Sequence, residues 1–403
     1  MRDYDNIRKL CLKGNQLSSI VIDEFILYYG AKRDKLIQEF DTRFSRFKHA
    51  EKKIPASWIR MIQSQYIVHR IFKQGGLINN YMQHTAVKNL EPDQQNYLRQ
   101  ISDDPWRFSF SEIKSNPAKD FYEMEDVFSG DVFLLHSPAV SQILTQQPAM
   151  LWFNLIANNG ACWQTFGPVN GFQCFDNNDI FFYGTELNKS IESDKDLIND
   201  VENNPIPYML LMTGSQFPLI RHGEFEMVQV IGEGKATITN MEDLKKTFRV
   251  EYAHDVIKLS HETLSIHPHF AEAFMDEVNQ SILLSALTDY GYLQMSKLVD
   301  AHEFNVPVDP DIRVHLPMLM VVKDLMKKKL VLNQYSELFE IKPSPKESAF
   351  TGKLNQLMAL ALPVINAGKE PDIDAMAKQV GVDPEVAKQL IKNSMDTINR
   401  LRK

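Results

Sequence analysis

The sequence predicts an α+β fold in which a β-rich centre lies between helical ends, and three observations carry that reading. Up to about residue 104, apolar residues recur every third or fourth position, as they do on one face of a helix. From Phe121-Tyr122-Glu123-Met124-Glu125-Asp126-Val127-Phe128-Ser129-Gly130 onward they alternate or run in short blocks ended by Gly, Asn or Pro, the pattern of strands and turns. Helical spacing returns at Phe270 and ends in a small helical tail. The expected division is a helical region over residues 1–104, a β-rich central domain over 105–341 and a small helical domain over 352–403.

The elements follow in order. Ile7, Leu10, Cys11, Leu17, Ile20, Val21, Phe25 and Leu27 predict a helix over residues 5–29, interrupted near Gly14-Asn15 and closed by Gly30 as a C-cap. A second helix is expected over 31–53, stopped by Pro55, a third from Ala56 to Gly75-Gly76, and a fourth over 90–102 with Pro92 in its first turn. Strands are expected over 121–128, 132–136, 151–156, 162–166 and 180–183, with Asn159-Gly160 as a hairpin turn. An acidic helix near 189–203 leads to a second strand group over 208–213, 224–231, 236–239, 248–252, 256–260 and 263–267. Helices are then expected over 270–287 and 318–338. Lys342-Pro343-Ser344-Pro345-Lys346-Glu347-Ser348 reads as the linker to the tail, because two prolines among polar residues disfavour regular structure.

Composition bounds the function. A chain of 403 residues exceeds what one hydrophobic core usually serves, so about two or three domains are expected. No apolar run reaches the roughly 20 residues that span a bilayer, and no apolar stretch follows Met1-Arg2-Asp3 as in a signal peptide. The three cysteines, Cys11, Cys162 and Cys174, form no CxxC pair and leave an odd thiol in any pairing, which suits a reducing cytoplasm. A cytoplasmic protein without a membrane partner is the expectation. The net charge of −8 argues against wholesale binding to nucleic acid. Between Ala31 and Lys73, however, eleven Lys and Arg face four Asp and Glu, so this stretch is basic. Its Arg43, Arg46, Lys52 and Lys53 are candidate contacts for an acidic partner or for phosphates.

No motif predicts a catalytic, cofactor or metal site. His254, His261, His267 and His269 fall close together, but the expected hairpin scatters them, and His254-Asp255 is an isolated pair. Gly232-Glu233-Gly234-Lys235-Ala236 lacks the glycine and hydroxyl of a Walker loop and reads as a turn between strands. Ser137 follows His136, yet neighbours on a strand point to opposite faces. The acidic sets Glu123, Glu125, Asp126 and Asp194, Asp196, Asp200 are explained by half-exposed strands and solvated helices. The aromatic run from Trp152 to Tyr183 reads as core, with a stacking surface as the alternative for any exposed members.

In the tail, Ile373-Asp374-Ala375-Met376-Ala377-Lys378-Gln379-Val380-Gly381-Val382-Asp383-Pro384-Glu385-Val386-Ala387-Lys388-Gln389-Leu390 resembles a helix-turn-helix, with Ala377 as its small residue and Gly381 as its turn glycine. It departs from the pattern by placing the apolar anchor Val386 one residue early. Extended to Leu401, the same segment resembles a ubiquitin-associated three-helix module. Lys388 and Gln389 are the tail's candidate contact residues. Asp120-Phe121-Tyr122-Glu123-Met124-Glu125-Asp126-Val127 with Gly130, then Ile257-Lys258-Leu259 and Thr263-Leu264-Ser265-Ile266 before an amphipathic segment, resembles a group of poorly characterised bacterial proteins. That resemblance covers about residues 105–285. Members of the group often carry a zinc motif of the SecA C-terminal type, whose cysteines this chain lacks, and the resemblance implies no activity.

The functional expectation is a non-enzymatic interaction or adaptor protein, with a protein as partner. A nucleic-acid-linked regulator using the tail and an unrecognised hydrolase are the alternatives.

Overall fold

The computed structural model describes residues 2–52, 54–236, 241–306, 309–339, 345–366 and 370–401. The chain is α+β, as its periodicities predict. It forms two compact units, residues 1–335 and 336–403. Among the described residues no helix is long and apolar enough to cross a membrane.

Helix α1 (Tyr4–Ser18) starts where the Asp3 carboxylate accepts the Asn6 N–H at 3.0 Å. It runs without the break expected at Gly14 into a π-helical segment, Ser19–Ile26, and on through Leu27–Lys32. Gly30 is therefore not a cap. It lies inside the helix, where a Cβ would come within 2.9 Å of Ile67 and 3.0 Å of Ile71, so its role is close approach. The chain turns instead at Lys35, with φ of 54°. The expected helix over 31–53 is correspondingly divided into α2 (Leu36–Phe44), a 3-10 turn and the short Lys48–Glu51 helix. Helix α3 (Ala56–Phe72) follows Pro55 and buries Ile62, Tyr66, Ile67, Ile71 and Phe72; α4 (Pro92–Gln100) opens on Pro92.

Strands β1 (Arg107–Ala118), β2 (Phe121–Asp126), β3 (Val132–His136), β4 (Leu151–Asn158) and β5 (Trp163–Phe172) close a barrel in the order β1-β2-β3-β5-β4. Only β3 and β5 pair in parallel. Asn159-Gly160 makes the β4–β5 turn, Gly160 taking φ of 82°. Helix α5 (Pro138–Leu144) joins β3 to β4 and adds Val140 to an interior of Tyr122, Met124, Phe133, Leu135, Trp152 and Ile156. The outward side chains Phe108, Phe110, Leu151, Phe153 and Leu155 belong to the same core as the N-terminal helices, so the hydrophobic interior runs across residue 104.

The barrel interior also carries polar groups. Register places Ser109 opposite Asn154 and Ser111 opposite Trp152. Ser109 donates to Asp126 at 2.7 Å, whereas the Asn154 amide and the Trp152 indole N–H meet no hydrogen-bonding protein group. A buried polar group without a partner costs about 1–3 kcal/mol. Asn154→Leu, close in shape, is therefore expected to raise unfolding stability by about 1 kcal/mol, read in denaturant titration; a loss of that size contradicts it.

Two segments expected as strands are helical. Residues 180–183 lie in α6 (Asn177–Leu187), and 208–213 lie in Pro205–Met209 and the following 3-10 turn. The acidic helix forms as α7 (Asp194–Asn203). After a small hairpin of β6 (Arg221–His222) and β7 (Phe225–Glu226) comes an antiparallel sheet. It contains β8 (Val228–Lys235), β9 (Arg249–Ala253), β10 (Val256–Ser260), β11 (Ala271–Asp276), β12 (Ser281–Ala286) and β13 (Ile312–His315) in the order β13-β8-β12-β11-β10-β9. The helix expected over 270–287 is thus the β11–β12 hairpin. Ala273, Met275, Ile282 and Leu284 enter one cluster while Phe274 and Leu283, alternating with them, are buried as well. A strand buried on both faces loses its period of two. Residues 263–267 form a 3-10 turn and loop, not a strand, and the strand expected at 236–239 falls largely outside the described residues.

Gly232 and Gly234 lie within β8 and make no turn. A Cβ at Gly232 would stand 2.0 Å from the Tyr292 hydroxyl, and one at Gly234 would stand 2.1 Å from the Asn305 carbonyl. Helix α8 (Asp289–Asp300) covers the sheet, and α9 (Leu316–Met326) follows β13, ending at Lys327 rather than continuing to 338.

The second unit contains α10 (Pro345–Asn366), α11 (Ile373–Val380) and α12 (Pro384–Leu401) around Leu357, Ala361, Ala377, Val382, Ala387 and Ile391. Of the expected linker, residues 342–344 lie outside the described residues. Pro345 opens α10 instead of preventing it, since a first-turn proline needs no N–H partner. Gly381 takes φ of 70° between α11 and α12. The buried anchor of α12 is Ala387, and Val386 is exposed.

Candidate functional site

A dense group of charges in the first unit forms where the start of α6 meets β13. Asp176 and Asp179 cap α6 reciprocally: Asp176 accepts the Asp179 N–H at 3.1 Å, and Asp179 accepts the Asp176 N–H at 2.8 Å. Asp179 is fully buried, and β13 brings His315 against it. The His315 N–H donates to Asp179 Oδ1 at 2.7 Å, and the ring Nδ1 lies 2.7 Å from Oδ2. Arg313 is two residues earlier, so the strand period turns it to the same side. Its guanidinium reaches Asp176 at 2.8 Å, both oxygens of Asp289 at 2.9 and 3.0 Å, and Glu226 at 3.3 Å. His315 Nε2 lies 3.4 Å from the same Glu226 oxygen.

Burial pushes the Asp179 carboxyl upward. For His315 burial favours the neutral ring, but the hydrogen bond to Asp179 and the nearby carboxylates prevail and raise its pKa. A singly protonated Asp179–His315 pair is neutral overall, whichever partner carries the proton. Burial also opposes ionisation of Glu226, yet bonds from Arg221 and His315 leave it below the ordinary carboxylate range.

Asp176, Asp179 and His315 offer ligand atoms within 4.8 Å of one another, the spacing a metal ion requires. The donor set does not favour one. Asp179 already accepts from two backbone N–H groups and the imidazole, and Arg313 supplies the positive charge an ion would bring. The arrangement ties a helix start to a strand end.

Beside this network a cavity of about 200 Å³ is lined by Glu224, Phe225, Glu226, Thr288, Asp289 and Tyr290. Thr288 caps α8 and bonds His269 at 3.0 Å. The His269 ring lies 4.4 Å from that of Phe225 and 4.5 Å from that of Tyr290, and burial holds its pKa below the ordinary value. With the Asp179–His315 pair neutral, Asp176, Glu224, Glu226 and Asp289 face Arg221 and Arg313, so four negative charges against two positive leave about −2. The site is acidic with aromatic walls.

None of these residues was singled out by sequence reasoning except His269. The available signals were Asp-x-x-Asp at a helix start, hidden by reading 180–183 as a strand, and the Arg-x-His alternation of β13, hidden because Pro307, Pro310 and Pro317 make that segment read as a connection. The other histidines are dispersed: His254 sits at the β9–β10 turn with φ of 54°, His261 bonds Thr263, and His267 precedes Pro268. Ser137 caps α5 and lies 3.2 Å from the Thr165 hydroxyl. Glu125 pairs with Lys114, Asp126 with Ser109, and Asp200 with Tyr208. Trp152, Phe153, Phe172, Phe175, Phe182 and Tyr183 are buried and Trp163, Phe166 and Phe181 half-buried, so this aromatic set forms core and not an exposed stacking surface.

The expected docking residues are not brought together in one site. Arg43 donates to the Asn203 carbonyl at 3.1 Å and lies 3.5 Å from Glu39. Arg46 and Lys52 are exposed, and Lys53 lies outside the described residues. In the tail Lys388 pairs with Asp374 at 3.1 Å and Glu385 at 3.3 Å, while Gln389 is exposed.

The β2–β3 face of the barrel does not stand open. Here Phe121 and Leu134 of that face are covered by Tyr4, Ile7 and Cys11 of α1, and Arg8 donates to the Lys119 carbonyl at 2.7 Å. No family model, curated protein or solved structure matches the chain.

Proposed function

We propose that this chain is a non-enzymatic interaction protein whose acidic, aromatic-walled cavity receives a lysine or arginine side chain of a protein partner. The observation that carries the reading is the convergence of Glu224 with Phe225 and Tyr290 around about 200 Å³, where Glu226 and Asp289, held by Arg221 and Arg313, add to the net negative charge. Carboxylates attract a cation, and aromatic faces add about 0.5–1 kcal/mol at an exposed site. The volume is below the roughly 300 Å³ at which small-molecule pockets begin and suits one side chain. His315 and Asp179 are buried behind Glu226 and support the wall.

Fluorescence anisotropy with labelled lysine- and arginine-containing peptides tests this directly. Glu224→Gln and Tyr290→Ala change the rim and leave the Arg313 network in place, and each is expected to weaken binding about 3–10-fold. Binding that ignores both substitutions removes the cavity from the function. A pull-down with and without nuclease treatment separates a protein partner from the nucleic-acid alternative: partners lost with nuclease favour the basic 31–73 stretch or the tail.

A further inference from the structure

We propose that Cys11 and Cys162 are a peroxide-responsive thiol pair whose reversible disulfide fastens helix α1 onto the barrel. The two residues are 151 positions apart, yet their sulfurs lie 3.4 Å from each other, both buried. Cys11 comes from α1, and Cys162 closes the β4–β5 turn just before β5. The surroundings are polar on one side. Asn159 Oδ1 accepts the Ala161 and Cys162 N–H groups at 3.0 and 2.9 Å. This fixes the amide so that its Nδ2 stands 3.3 Å from the Cys11 sulfur and 3.8 Å from that of Cys162. The other side is apolar, with Phe121 and Leu134 packed against the pair.

This setting divides the roles of the two thiols. The hydrogen bond from Cys162 is the strongest influence on Cys11, with further bonds from His136 and Asn159, and together they overcome burial and lower its pKa. Cys162, bonded to Cys11 and buried, is shifted up. Asn159 Nδ2, nearer to Cys11 at 3.3 Å than to Cys162 at 3.8 Å, favours the thiolate on Cys11, which is the nucleophile, with Cys162 the resolving thiol. The Cys11 thiolate attacks one oxygen of hydrogen peroxide, the O–O bond breaks, and the departing hydroxide takes a proton to leave as water with Cys11 as the sulfenic acid. The Cys162 sulfur then attacks the Cys11 sulfur, the S–S bond forms, the S–O bond breaks, and the hydroxyl leaves with the Cys162 proton as a second water. Two thiols and one peroxide give one disulfide and two waters. Cys11 and Cys162 are only 0% and 4% exposed, so a small oxidant reaches the pair when α1 opens locally from the barrel. Cys174 is an internal control: it is buried away from this pair, and burial pushes its thiol up to about 12.

The test uses the full-length protein, reduced, freed of reductant, exposed to hydrogen peroxide, then unfolded and alkylated. Peptide mass mapping is expected to show a linked Cys11–Cys162 pair that dithiothreitol releases, with Cys174 alkylated. Closing so long a loop is expected to raise the thermal midpoint of the oxidised protein by about 5 °C or more. In Cys162→Ser, Cys11 is expected to accumulate as a dimedone-reactive sulfenic acid, with no rise in midpoint. Should that variant fail to fold, the map of the unsubstituted protein decides alone. Alkylation of all three cysteines after peroxide, a link that includes Cys174, or first oxidation at Cys162 overturns the proposal.

Discussion

Asp179→Ala is expected to lower unfolding stability by about 3–5 kcal/mol, the loss typical when one member of a buried ion pair is removed. Asp179 accepts three hydrogen bonds, from the Asp176 N–H, the His315 N–H and the His315 ring. Its removal strands all three and leaves His315 without its nearest counter-charge. Chemical denaturation followed by circular dichroism measures the loss, and a change under about 1 kcal/mol would show the network to be incidental. The pH dependence supplies a second reading. The folded-state pKa of His315 is raised, so its pairing contributes fully below the unfolded histidine value of about 6.5. That contribution is lost as pH rises through the higher folded value. The stability difference between the unsubstituted protein and His315→Gln should accordingly shrink as pH increases from about 6.5. A difference that grows over that range contradicts the assignment.

Phe153→Ala is expected to cost a similar amount, about 3–5 kcal/mol, because it empties the contact between the barrel and the helical layer. Phe153 is 2% exposed, and its ring lies 4.3 Å from Phe110 and 5.1 Å from Phe108 in near-parallel stacks. These rings point out of the barrel into the core shared with α2 and α3. The expected result in calorimetry is a single broadened or lowered transition for the first unit. Separate melting of the barrel, with the helices unaffected, would mean that the two do not share a core.

The sequence by itself determined this protein's class and much of its punctuation. Strands 132–136 and 256–260, the Asn159-Gly160 turn, the Pro92 helix start and the Gly381 turn follow from local chemistry, where a glycine's positive φ or a proline's missing N–H has few alternatives. Tertiary structure decided the rest. The β11–β12 hairpin reads as a helix because burial on both faces erases alternation, and Ile180 to Tyr183 read as a strand because a capped helix can be nearly as apolar as one. Gly30, Gly232 and Gly234 are fixed by side chains or backbone distant in sequence that pack onto them. The candidate sites belong to the same category. Asp179 meets His315 across 136 residues and Cys11 meets Cys162 across 151, and no local period or spacing records such pairings, because only the closure of the core brings the partners together.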